Sequence, residues 1–264
     1  MEMTFRQYID NPLGKRNAVF SQRDMYKNLY TDKFDKLLLR EAGKIDFALY
    51  YDDKDQYYVH IKIPSEGVKN FYYDAVIMFY TNDAAVHSQS SLDNYFVKFF
   101  SNDPAFVFTY LRVFLKNGMF FEDLKDKSSK LALKEDPVQT NPYQIPGYSK
   151  IIYFAYLFMK YKNLFSKYYY KSYGKKYNKK EFIKTIMHTD DKIALRQELG
   201  EKQRKQEKKE AEKEKKDNEK LSTSTTSSSN FPLTAKRVSY TKSSQNIKTT
   251  KTTKFTAKTK TTKK

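Results

Sequence analysis

The sequence predicts an α+β protein: an antiparallel β-meander packed with helices, followed by a charged helix and a disordered basic tail. Three observations predict it. Between residues 45 and 100, four short runs rich in Tyr, Val, Ile and Phe are separated by turn-forming clusters. On either side of these runs, apolar residues recur at helical spacing. Past residue 185 the apolar residues thin out, and the chain ends in a Lys/Thr/Ser repeat too poor in apolar surface to offset the cost of ordering. The expected organisation is an α+β globular domain over 1–185, a charged helical extension over 186–221 and a disordered tail over 222–264.

Each element has a local reason. Residues 1–42 are expected to be mostly helical after a loop at Asn11-Pro12-Leu13-Gly14; Ser21 is the expected N-cap, and Met25, Leu29, Phe34, Leu37 and Leu38 fall near helical spacing. Gly43 ends that helix. The first strand covers 45–51, and the cluster Asp52-Asp53-Lys54-Asp55 turns the chain. Residues 57–63 then alternate Tyr57, Val59, Ile61 and Ile63 against Tyr58, His60 and Lys62, the pattern of a half-buried hairpin strand. Pro64 stops the pairing, the apolar run within 71–80 suits a deeper strand, and 95–100 supplies a fourth.

Helical signals then return. Asp103 before Pro104 is an N-cap followed by a proline at the first helical position, and Lys116-Asn117-Gly118 supplies a basic last turn and a glycine stop. The intervening Val107, Phe108, Thr109 and Tyr110 suit a strand equally well. Three prolines at 137, 142 and 146 form a rigid surface loop leading into one aromatic helix over about 148–171. A final helix starts at Thr189, an N-cap with Asp190 and Asp191 in its first turn, and runs into 201–221, where charges of both signs stand at i, i+4 spacing.

Charge is segregated along the chain. Residues 1–149 hold 19 Lys/Arg against 20 Asp/Glu, so the whole formal excess of +19 lies beyond them. Residues 150–184 hold 10 Lys against the single acid Glu181, and 222–264 hold 10 Lys/Arg and no acid. A near-neutral body with a polycationic end is built to meet polyanions. The absence of Cys excludes disulfides, thiolate zinc sites and a cysteine nucleophile. The start of the chain lacks the basic-then-apolar order of a signal peptide, and the most apolar stretch, 151–159, falls short of the roughly 20 residues a bilayer-spanning helix needs.

Two segments carry the expected nucleic-acid or partner contacts. In the body they are Lys160, Lys162, Lys167, Tyr168, Lys171, Tyr173, Lys175, Lys176, Lys179 and Lys180, where rings that stack on bases lie beside cations that hold phosphates. The same stripe also suits a core or a protein interface. In the tail they are Lys236, Arg237, Lys248, Lys251, Lys254, Lys258, Lys260, Lys263 and Lys264, which neutralise DNA phosphates without reading sequence or meet an acidic neighbour.

Enzymatic signals are sparse. Asp46 with His60-Ile61-Lys62 echoes the Asp…(Asp/Glu)-x-Lys arrangement of metal-dependent nucleases, with His60 standing where the second carboxylate belongs; a polar strand face explains His60 and Lys62 without a metal. His87 and His188 show no ligand spacing, and the chain holds neither a glycine-rich phosphate loop nor a Gly-x-Ser-x-Gly elbow. The expectation is a protein without catalytic residues, cofactor or small-molecule substrate.

The run Tyr95-Phe-Val-Lys-Phe-Phe-Ser-Asn-Asp-Pro-Ala-Phe-Val-Phe-Thr-Tyr110, with Asn11-Pro12-Leu13-Gly14 upstream and 147–159 downstream, resembles a family of poorly characterised proteins of tailed bacteriophages over roughly residues 4–170. The resemblance implies a setting: a virion or assembly protein of the head, neck or connector region, made in the host cytoplasm, with other virion proteins and copies of itself as partners. It implies no catalytic residues. A nucleic-acid-binding protein of phage replication or transcription is the alternative.

Overall fold

The computed structural model describes residues 3–10, 17–141, 144, 146, 147 and 149–224. Residues Met1–Lys213 belong to one compact unit and Glu214–Lys264 to a second. Of the second unit, 214–224 are described, and they are helical. The disorder expected from 222 is corrected at its start, since 222–224 are helical; the rest of the expected tail, with all nine of its cationic site residues, lies outside the described residues.

The centre is a mostly antiparallel sheet of five strands: β1 (Asp46–Tyr51), β2 (Tyr57–Pro64), β3 (Tyr72–Tyr80), β4 (Phe96–Ser101) and the two-residue β5 (Lys175–Lys176), in the order β4-β3-β2-β1-β5. The first four make the expected meander, while β5 joins the free edge of β1 in parallel. Pro64 is the last paired residue of β2, opposite Tyr72, so the ladder ends there and no further N–H is demanded of it.

The half-buried reading of β2 is corrected: both faces are covered. One face carries Phe47, Tyr57, Val59, Ile61, Ile77, Phe79 and Phe99 and meets helices α1 (Phe5–Asp10), α6 (Lys150–Tyr161) and α7 (Lys167–Tyr173), with Phe5 against Phe79 and Phe99, Phe47 against Phe158, and Tyr57 against Tyr170. The opposite face carries Tyr50, Tyr58, His60 and Phe100. It is closed by Phe120 and Phe121, by Tyr177, and by Phe182 of helix α8 (Lys179–Thr185). Aromatic bodies fill both layers, and the hydroxyls of Tyr57, Tyr58 and Tyr177 reach carboxylates.

Other elements follow from their ends. Helix α2 runs Asn17–Glu41, so Ser21 is inside it and not its cap. Asp103 caps as expected, accepting from the Phe106 amide at 3.2 Å, and Gly118 adopts φ 70° at the stop. Between them, Phe106–Tyr110 form a π-helical turn before α4 (Leu111–Lys116), a local widening that periodicity does not reveal. Two further short helices are α3 (Ala84–His87) and α5 (Lys130–Lys134), the second packed beside α4.

The single helix expected over 148–171 is two. Asn163 takes the left-handed conformation, φ 55°, and the Leu164 amide folds back onto the Met159 carbonyl at 2.8 Å, ending α6 before α7 begins. The last helix, α9 (Thr189–Ser224), is capped by His188, whose Nδ1 accepts from the Asp190 amide at 3.2 Å; the Thr189 hydroxyl is buried without a hydrogen-bond partner. Its first turns are not solvated: Lys192 reaches Asp74, and Leu195 and Leu199 pack on the core.

Candidate nucleic-acid interface

The break after α6 and the shortness of α7 decide which of the aromatic and cationic residues face outward. On α7, Lys167 and Tyr170 stand three apart on the inner face, and Tyr168 and Tyr173 point away, at 66% and 71% exposure. Tyr168, Tyr169 and Tyr173 touch one another at centroid separations of 6.0–6.4 Å, forming an exposed aromatic step. Gly174 then lets the chain press onto β1. A Cβ there would lie 2.2 Å from the Tyr170 carbonyl oxygen and 3.2 Å from that of Leu49. That approach sets Lys175 and Lys176 on the edge of the sheet, and Asn178 caps α8 through the amides of Lys180 and Glu181.

Of the expected body contacts, the structure brings Tyr168, Lys171, Tyr173, Lys175, Lys176, Lys179 and Lys180 onto this α7–β5–α8 segment, all exposed. Lys160 and Lys162 sit at the corner after α6, each over a tyrosine ring, Tyr156 and Tyr161. Lys171, Lys176 and Lys179 pair with Asp55, Asp53 and Asp123 at 3.5, 2.8 and 2.7 Å. Water and salt screen such exposed pairs, so they hold the cations only weakly. Lys160, Lys162, Lys175 and Lys180 make no ion pair among the described residues.

Lys167 requires correction. It is 8% exposed, a core cation and not a surface one. Its Nζ lies 3.0 Å from Asp55 Oδ2, donates to the His87 carbonyl at 2.7 Å and sits over the rings of Tyr57 and Tyr95. Asp55 is the hub of this group: Tyr57 donates to one oxygen, while Tyr95 and His87 Nδ1 meet the other at 2.8 and 2.9 Å. Burial pushes the Asp55 carboxyl up, but the hydrogen bonds from Tyr57, His87, Lys167 and Tyr95 outweigh it and hold the group well below the usual carboxylate range. Burial and that same carboxylate push both tyrosine hydroxyls up. These contacts tie α7 to the sheet through Asp55, three of them converging on Oδ2.

The nuclease-like triplet comes apart similarly. His60 Nε2 meets Asp74 at 2.8 Å in the interior, Asn102 donates to the other Asp74 oxygen at 2.6 Å, and Lys192 approaches that oxygen at 3.3 Å. Burial raises the Asp74 carboxyl, and His60, Lys192 and Asn102 reverse this to a net lowering. Asp46 lies outside this group, exposed and 3.8 Å from Lys62. Among the described residues no three His, Cys, Asp or Glu side chains are grouped to hold a metal, and no helix is long and apolar enough to cross a membrane.

Sequence reasoning missed both hubs, the half-buried Asp55 and the buried Asp74. Asp55 sits at φ 56° and Asp74 in an apolar run; an acid inside an otherwise buried strand was the available signal for the second. Compared with known proteins, the chain matches no family model, no curated protein and no solved structure.

Proposed function

We propose that the protein is a non-enzymatic virion or assembly component of a tailed bacteriophage, whose α+β body meets neighbouring proteins and whose α7–β5–α8 surface and basic tail contact nucleic acid. The observation that carries the reading is the segregation of charge. All of the excess lies beyond residue 149, and within the described part it coincides with the exposed Tyr168–Tyr173 step. Cations at phosphate spacing give affinity without sequence preference, and exposed rings give bases a face to stack on. The hydrogen bonds that Asp55 and Asp74 hold across the sheet support a structural role for both carboxylates.

The setting is tested by mass spectrometry of purified phage particles, with peptides from the body and the tail quantified against the major capsid protein. A fixed stoichiometric copy number is expected. Absence from particles with abundance in infected cells overturns the virion setting and favours a nucleic-acid-binding protein of replication or transcription, a role the exposed tyrosine step also suits.

A further inference from the structure

A second site lies beside that surface. Between α1, the 90–93 segment before β4 and the α6–α7 corner is a cleft of about 440 Å³. Its floor is aromatic: Phe5, Tyr156 and Phe165 line it and contact one another at 5.5–6.2 Å. Its rim is polar. Ser90, Ser91, Ser166 and Asn163 supply hydroxyls and an amide, Arg6 and Lys160 bring two cations, and Asp93 is the one acid. Asp93 accepts from the Ser91 hydroxyl at 2.8 Å. The walls are tied together by backbone: the Lys167 amide donates to the Ser90 carbonyl at 3.0 Å, and Ser91 pairs with Ser166. The cleft is therefore formed before any ligand arrives.

We infer that this cleft binds one nucleotide unit, with the phosphate at Lys160 and the base against the Tyr156–Phe165 wall. Three features select that class. The volume lies within the range of about 300–1,000 Å³ typical of small-ligand sites. Lys160 lines the cleft and makes no ion pair among the described residues, which favours an anion. An aromatic floor beneath a hydroxyl-rich rim matches a flat ring attached to a sugar, and a bare inorganic anion would leave that floor uncovered. Ser166 lines the cleft and immediately precedes α7, so the site opens two residues from the exposed Tyr168. The cleft and the tyrosine step thus lie on adjoining stretches of the chain, and unstacked bases suit both, so a single strand is the polymer to test. This inference rests on the nucleic-acid reading above for its polymeric ligand, although a free mononucleotide satisfies the same chemistry.

The test titrates the full-length protein by calorimetry with deoxyadenosine monophosphate, with inorganic phosphate and with a ten-nucleotide single strand. Two variants are compared: Lys160→Glu, which reverses the cation, and Ser90→Trp, which fills the mouth from an exposed position. Melting temperatures confirm that both fold. The expected result is mononucleotide binding tighter than inorganic phosphate, weakened at least about tenfold by each variant, a loss of about 1.4 kcal/mol. If the strand loses affinity in parallel, the source is a polymer end or a splayed base; if only the monomer is affected, the source is free nucleotide. Mononucleotide binding that is undetectable, or equal in wild type and both variants, overturns the cleft assignment even where salt-dependent strand binding persists. Loss of all strand binding with mononucleotide binding intact instead overturns the nucleic-acid reading and leaves the cleft assignment standing.

Discussion

At the residue scale, two polar groups in the interior make opposite predictions. Asp55 offsets the buried Lys167 ammonium and accepts hydrogen bonds from two tyrosines. Asp55→Ala removes the partner of a mostly buried cation; because the carboxylate is half-buried, the loss should fall below the about 3–5 kcal/mol of a fully buried pair, readable as a lower urea midpoint. Tyr170 is the reverse case: its hydroxyl is fully buried without a hydrogen-bond partner, and burial alone pushes its pKa up. Tyr170→Phe should therefore raise stability by about 1 kcal/mol. Acid should also unfold the protein through Asp55 and Asp74. Both carboxyls bind a proton more weakly folded than unfolded. The stability they contribute is full above the unfolded value of about 4 and is lost as pH falls below it. In Asp55→Ala, the acid-dependent loss should be visibly smaller in a series of melts from pH 6 to pH 2.

At the element scale, the surface of α7 was partly legible in the sequence. The alternation of Tyr with Lys marked the segment, and Asp103-Pro104 and Lys116-Asn117-Gly118 marked both ends of a helix. The inward turn of Lys167 and Tyr170 was not legible, because it depends on where α6 stops, and that is set by Asn163 entering the left-handed region. The same break is what exposes Tyr168 and Tyr173. Replacing both with Ala should weaken single-strand binding by about 1–3 kcal/mol per stacked base while leaving duplex binding and melting temperature nearly unchanged, since neither ring is core. The covering of β2 on both faces was hidden for a related reason. Period-2 alternation reports the polarity of His60 and Lys62, and His60 is satisfied internally by Asp74, a residue 14 positions away.

At the scale of the whole molecule, the α+β class and the four-strand meander follow from patterns that are local in sequence, which is why they could be read from it. The fifth strand, the Asp55 hub and the cleft depend on contacts across large separations, Asp55 with Lys167 being 112 residues apart, and no local signal announces those. The net charge belongs to the molecule and not to any element, and it governs how the protein meets a polyanion. The most direct measurement is the salt dependence of oligonucleotide binding by the full-length chain, compared with a variant in which Lys236, Arg237, Lys248, Lys251, Lys254, Lys258, Lys260, Lys263 and Lys264 are all changed to Gln. At roughly 0.7 per phosphate contact on a single strand, the slope of log affinity against log salt should flatten by about 3–6 in the variant. The residual binding should still require Tyr168 and Tyr173. An unchanged slope, or wild-type affinity that ignores salt, would contradict the claim that this chain is organised around polyanion contact.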